Sequence, residues 1–188
     1  GYSRRELDDL YVLNTMNWTW AKVSTKGSPP EKRSGHQGLA VEKSILIFGG
    51  WNSTTQFSDM HIIETNMESG ELPTWSRVET GMEKPAWNMA ACSVVAIPTW
   101  KVFLFGGMMG PLSDSEREGK RSDATRILDT VSYRFTEPKL EGRGPCGRSS
   151  TVLSYDAKNS RLLVFGGWSD QWHDDFFTLD VGSIVGPP

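Results

Sequence analysis

The side chains best suited to chemistry are few in this sequence: three histidines (His36, His61, His173) and two cysteines (Cys92, Cys146) among 188 residues. They are scattered, and no Ser or Cys stands in a recognisable motif with a paired histidine, so no catalytic residue is expected. The densest cluster is Trp172-His173-Asp174-Asp175, whose imidazole and carboxylates are metal-ligand types. Consecutive strand residues point to opposite faces, however, so only part of the cluster converges on one ion, and no metal site or cofactor is expected. The cysteines are too few for a disulfide framework, lack metal-ligand spacing, and read as incidental thiols of a reducing compartment. Asn17 and Asn52 open Asn-x-Thr and Asn-x-Ser/Thr-type acceptor patterns that argue for secretion, but three-residue patterns are common by chance.

The elements that must carry these residues repeat. Ser-Ile-Leu-Ile-Phe-Gly-Gly ends at Gly50, Lys-Val-Phe-Leu-Phe-Gly-Gly at Gly107 and Arg-Leu-Leu-Val-Phe-Gly-Gly at Gly167. A recurrence about every 60 residues points to an array or propeller. Upstream of each glycine pair lies a Pro-x-x-polar element, ending at Arg33, Asn88 and Arg148. Downstream, Asp9, Asp59 and Asp175 each open a strand-like apolar run and read as turn or strand caps, with the stretch after Asp123 a looser fit. A Trp follows at Trp20 and Trp75, and Phe135 takes that place in the middle unit. Each unit thus holds four short strands, the content of a propeller blade. The second strand is apolar throughout because a strand buried on both faces has no polar alternation. The glycines close its end, where positive φ or a close backbone approach is required.

The repeated Phe-Gly-Gly, the later acid and apolar strand, and the downstream Trp resemble the kelch repeat family over nearly the whole chain. The resemblance implies an all-β fold, a segment of a kelch-type β-propeller made of four-stranded antiparallel blades. The strand inventory gives a partial blade at 1–28 (third and fourth strands), whole blades at 29–84 and 85–144, and a partial blade at 145–188 (first three strands), all in one propeller domain. Two whole and two partial blades predict a segment of a larger propeller, the alternative being closure with other copies. The tail Ser-Ile-Val-Gly-Pro-Pro is expected to be a linker or the turn before a further strand.

Function then has to come from a surface. Antiparallel strand order puts the turns after the glycines on the same face as the turns between blades. That face collects Trp51, Met108, Met109, Trp168, Trp172 and His173 with Arg33, Asn88 and Arg148. Trp, Arg and Met are types enriched at interfaces, so these residues are expected to contact a protein or peptide ligand, although the repeated arginines equally suit a role in tying turns together. The polar loop from Met108 to Asp123 reads as a solvated loop or, around Ser113 and Ser115, a specificity or modification segment. A net charge of −3 gives no footprint for nucleic acid or anionic membrane, and no apolar run is long enough to span a bilayer. The family resemblance implies a noncatalytic scaffold in a multiprotein complex, expected to be cytoplasmic, and the tail Ser-Ile-Val-Gly-Pro-Pro resembles linkers in long kelch proteins of cytoskeletal and ciliary assemblies, which implies a cytoskeletal or axonemal setting. The alternative is the propeller domain of a metal-dependent oxidoreductase whose site lies outside this segment.

Overall fold

A computed structural model describes residues 1–65, 70–80, 92–97, 100–108 and 121–185. Its strands are β1 (Tyr11–Asn14), β2 (Thr19–Lys22), β3 (Lys26–Gly27), β4 (Gln37–Val41), β5 (Ser44–Phe48), β6 (Met60–Glu64) and β7 (Thr74–Arg77), then β8 (Ser93–Ile97), β9 (Lys101–Phe105), β10 (Thr125–Asp129), β11 (Arg134–Thr136), β12 (Val152–Asp156), β13 (Arg161–Trp168) and β14 (Trp172–Asp180). One short helix, α1 (Gly182–Val185), follows. The sheets run in chain order: β1 with β2, β4 through β7 with β3 added beside β7, β8 through β11, and β12 through β14. Pairing is antiparallel except at β3, which lies parallel to β7. The first strands β4, β8 and β12 stand next to one another, as the inner strands of neighbouring propeller blades do.

The uniform apolarity of the second strands has its cause in this stacking. On β9, Val102 and Leu104 pack with Leu46, Phe48 and Met60 of the preceding sheet, while Phe103 packs with Leu162 of the following sheet and with Val181. Both faces of β9 are therefore core, and a polar residue on either would be buried without a partner. The face pointing forward along the chain carries the phenylalanine of each repeat. Phe48 is 0% exposed and Phe105 3%, covered by the next sheet, whereas Phe165 is 49% exposed. Phe165 pairs across the last sheet with Val152 and Phe176, both also exposed, so this sheet presents an open apolar face and the described sheets do not close a ring.

Two sequence expectations are corrected here. The strand before each glycine pair ends at Phe48 in β5 and Phe105 in β9, but β13 continues through Gly166 and Gly167 to Trp168. A bulge between Phe165 and Gly167 absorbs the glycines, and pairing resumes with Gly167 opposite His173 and Trp168 opposite Trp172. The tail is not a free linker as far as Val185: Val181 is buried, Ile184 and Val185 pack on the second core cluster, and Lys101 Nζ donates to the Ile184 carbonyl at 2.9 Å.

Candidate protein-interaction face

The Pro-x-x-Arg turns are built around buried guanidinium groups. Arg33 is 2% exposed; its Nη1 donates to the Gly49 carbonyl at 3.0 Å, its Nη1 and Nη2 grip the Asp59 carboxylate at 2.5 and 3.0 Å, and its Nε donates to the Glu31 carbonyl at 2.9 Å. One side chain thereby ties the turn to the first glycine of the pair and to the acid that opens β6. The guanidinium lies 3.9 Å from the Phe57 ring centre, and His61 Nε2 contacts Asp59 at 3.0 Å. Burial pushes the Asp59 carboxyl up, but hydrogen bonds from Arg33 and His61 outweigh it and hold the group well below the usual carboxylate range.

Arg148 repeats the arrangement. It is 1% exposed, and its guanidinium donates to the Gly166 carbonyl at 3.1 Å, bidentately to Asp175, and to the Cys146 carbonyl at 3.1 Å. The hydrogen bond from Arg148 lowers the Asp175 carboxyl. Arg33 and Arg148, expected to offer donors to a partner, therefore stand behind the surface with those donors engaged by the fold. Asp59 and Asp175, expected to be turn or strand caps, are the anionic halves of these clamps, a bidentate geometry that suits Arg.

The glycines complete the turn. Gly106 and Gly107 have φ of 73° and 99°, and a Cβ on Gly106 would lie 2.3 Å from the Arg148 carbonyl oxygen. Gly107 N–H donates to that same carbonyl at 3.0 Å. Positive φ and close approach, the two reasons sequence alone offered for glycine, both apply here.

The face carrying these turns holds the tryptophans. Ser34 pairs with Trp51 and Ser149 with Trp168 through backbone bridges, which fixes each post-glycine residue beside its inter-blade turn. Trp51 is half-buried, its ring lying where a Cβ on Gly35 would be, and it borders an open cleft of about 440 Å³. Gln37, Val94 and Val152, from the starts of the three inner strands, line the same cleft with Ser150 and Thr151. Trp168 is half-buried and Trp172 is 76% exposed, their ring centres 4.9 Å apart at 59°. His173 Nε2 lies 2.8 Å from Ser169 Oγ, at the tip of the same hairpin. Met108 is half-buried and bridges to Arg121. Asn88, Met109, Ser113 and Ser115 lie outside the described residues. Ser150 and Thr151 were missed in the sequence because small polar residues two and three positions past the repeat arginine carry no pattern of their own. Among the described residues no three His, Cys, Asp or Glu side chains converge as metal ligands, and no helix is long and apolar enough to cross a membrane.

Stacked antiparallel sheets whose leading turns are held by buried arginine clamps define a repeat-built propeller segment. The particular family follows from comparison with known proteins: the model of the KLHDC2/KLHL20/DRC7 Kelch-repeats domain matches residues 1–167. The chain belongs to this kelch-repeat family, whose domains generally mediate protein interaction. It is 25% identical to the flagellar outer-arm dynein alpha chain of Chlamydomonas reinhardtii over 100% of this chain and 4% of that protein. It is 26% identical to acyl-CoA-binding domain-containing protein 4 of Arabidopsis thaliana over 94% of this chain and 25% of that protein. Kelch domain-containing protein 2 of Homo sapiens is 23% identical over 85% of this chain and 42% of its own length. The chain thus spans less than half of each of these relatives.

Proposed function

We propose that the chain is a noncatalytic interaction scaffold whose diglycine face receives a protein or peptide segment, as part of a multiprotein complex in the cytoplasm. The units 1–28, 29–84, 85–144 and 145–188 are then successive blades of one propeller domain. The observation that carries the reading is Trp172, a large apolar side chain held in the open against Trp168 on the face that carries the Trp51 cleft. An aromatic pair on the face that carries a cleft with small polar groups suits an extended peptide, which brings apolar side chains and backbone donors together. With the arginines engaged internally, Trp51, Met108, Trp168, Trp172 and His173 are the contact residues among the described ones. Asn88 belongs to the same proposed face by its place in the repeat. Similarity to a flagellar dynein chain supports a cytoskeletal or axonemal setting.

The test is affinity for a peptide selected from a random display library on the full chain. Trp172→Ala is expected to weaken it by about 2 kcal/mol or more, as truncation of an anchor does. Lys43→Ala, in the turn between β4 and β5 at the other end of the sheet, is expected to leave it unchanged. The opposite order would move the interface to that other end.

A further inference from the structure

The two arginine clamps differ in what flanks them. Two residues before Arg33 stands Glu31, and two before Asp59 stands Phe57; the same places before Arg148 and Asp175 hold Cys146 and His173. Cys146 keeps the backbone task of Glu31, accepting from the Arg148 Nε at its carbonyl. Its thiol is free and exposed, and it adds contacts the first unit lacks: Arg148 Nη2 lies 3.1 Å from Sγ, and His173 Nε2 lies 3.8 Å from it. Ser169 Oγ–H donates to Asp170 at 2.6 Å, and His173 Nε2 lies 2.8 Å from that oxygen and 3.8 Å from the sulfur, so the imidazole edge borders the thiol. The exposed sulfur therefore sits between a guanidinium and an imidazole, and the Arg148 Nη2 that faces it also donates to Asp175. Reactive cysteines occupy partly exposed, donor-rich surroundings of this kind.

We propose that Cys146 is a modification site, a thiol that reacts with hydroperoxides and is positioned for it by Arg148 and His173. The thiol first loses its proton to solvent, and the Arg148 guanidinium, with the His173 ring beside it, faces the resulting thiolate. Sγ then attacks one peroxide oxygen: the S–O bond forms, the O–O bond breaks, and the electron pair leaves on hydroxide or alkoxide, which takes a proton from water. Sulfur is oxidised by two electrons to sulfenic acid and the peroxide is reduced to water or alcohol. Cys92 is the internal control, 2% exposed with its thiol pushed up to about 12 by burial.

The experiment exposes the full chain to hydrogen peroxide at neutral pH, traps sulfenic acid with dimedone and follows each cysteine by mass spectrometry. A synthetic peptide of residues 143–149 serves as the unfolded reference. Cys146 in the folded chain is expected to be trapped about fivefold faster or more than in the peptide, with Cys92 unlabelled, because thiolate surroundings govern the rate. His173→Gln, a half-exposed substitution, should remove about two-thirds or more of that excess. A folded-chain rate no higher than the peptide's overturns the proposal by itself, without need of any variant. So does an unchanged rate in a folded His173→Gln chain.

Discussion

Arg33 and Arg148 grip the same set of groups, a glycine carbonyl, a carboxylate and the carbonyl two residues upstream, yet the aromatic and imidazole around them are exchanged. In the first clamp Phe57 lies under the guanidinium and His61 contacts the acid. In the second, His173 stands in the place of Phe57 and Phe177 in the place of His61, with the Phe177 ring centre 5.8 Å from the guanidinium. Asp59 has 18% of its side chain exposed and Asp175 38%. The first clamp is closed on every side, while the second keeps the same charge pair and places an exposed thiol and an imidazole beside it. The comparison teaches that the repeat fixes the charged positions, because a buried guanidinium needs all its acceptors, and leaves the flanking positions free to vary.

The largest effect expected from breaking this comparison is at Arg33. Arg33→Ala strands Asp59 in a largely buried site and should cost about 3 to 5 kcal/mol in urea unfolding of the full chain. Arg148→Ala leaves an acid that water reaches, so its cost is expected to be lower, about 1 to 3 kcal/mol. Equal losses would mean that exposure of the acid does not distinguish the clamps.

A second pair of variants isolates the turn that the clamp closes. Gly106 and Gly142 both have positive φ, 73° and 82°, but only Gly106 meets a backbone oxygen where a Cβ would go. Gly106→Ala should therefore destabilise more than Gly142→Ala, by about 1 to 3 kcal/mol, since both pay for backbone conformation and one also displaces the Arg148 turn. Thermal unfolding of the two variants checks the gap.

Acid sharpens the comparison further. The Asp59 carboxyl is held below its unfolded value, so its contribution is fully present above the unfolded value near about pH 4 and is lost as pH falls toward the depressed folded value. Stability of the full chain should fall between about pH 4 and pH 2, and Asp59→Asn should flatten that limb while lowering stability at neutral pH. Asp175 is shifted in the same direction by Arg148, but its exposure leaves it a smaller share of the slope, so Asp175→Asn should flatten the limb less.

Much of the fold was legible in the sequence because its signals are periodic. The run before Gly106 is apolar throughout since neighbouring sheets cover both its faces, the runs before Gly49 and Gly166 repeat its pattern, and Trp20, Trp75 and Phe135 each fall on the strand expected of them. The roles of Arg33 and Arg148 were not legible in the same way. Arg33 meets Asp59 across 26 positions and Arg148 meets Asp175 across 27, and only the folded sheet brings those separations to contact. The clue was present, because arginine and acid recur together in the first and last units, but each repeats for a reason that a single position does not state. Continuation of β13 past Gly166 was hidden because a tight Ser169-Asp170-Gln171 tip, rather than anything in the apolar run, lets pairing resume. The nearness of Cys146 to His173 was not legible either, because only the β13–β14 hairpin brings them together across 27 positions.

The central claim is a division of labour on one face: arginines hold the fold, and tryptophans at the hairpin tip are left for a partner. Urea unfolding of Trp172→Ala beside Arg148→Ala, in the full chain at neutral pH, tests it most directly. The account predicts that Trp172→Ala stays within about 1 kcal/mol of the parent, the worth of its contact with Trp168, while Arg148→Ala falls clearly further. A Trp172→Ala chain destabilised as much as Arg148→Ala would make Trp172 a fold residue and contradict the account.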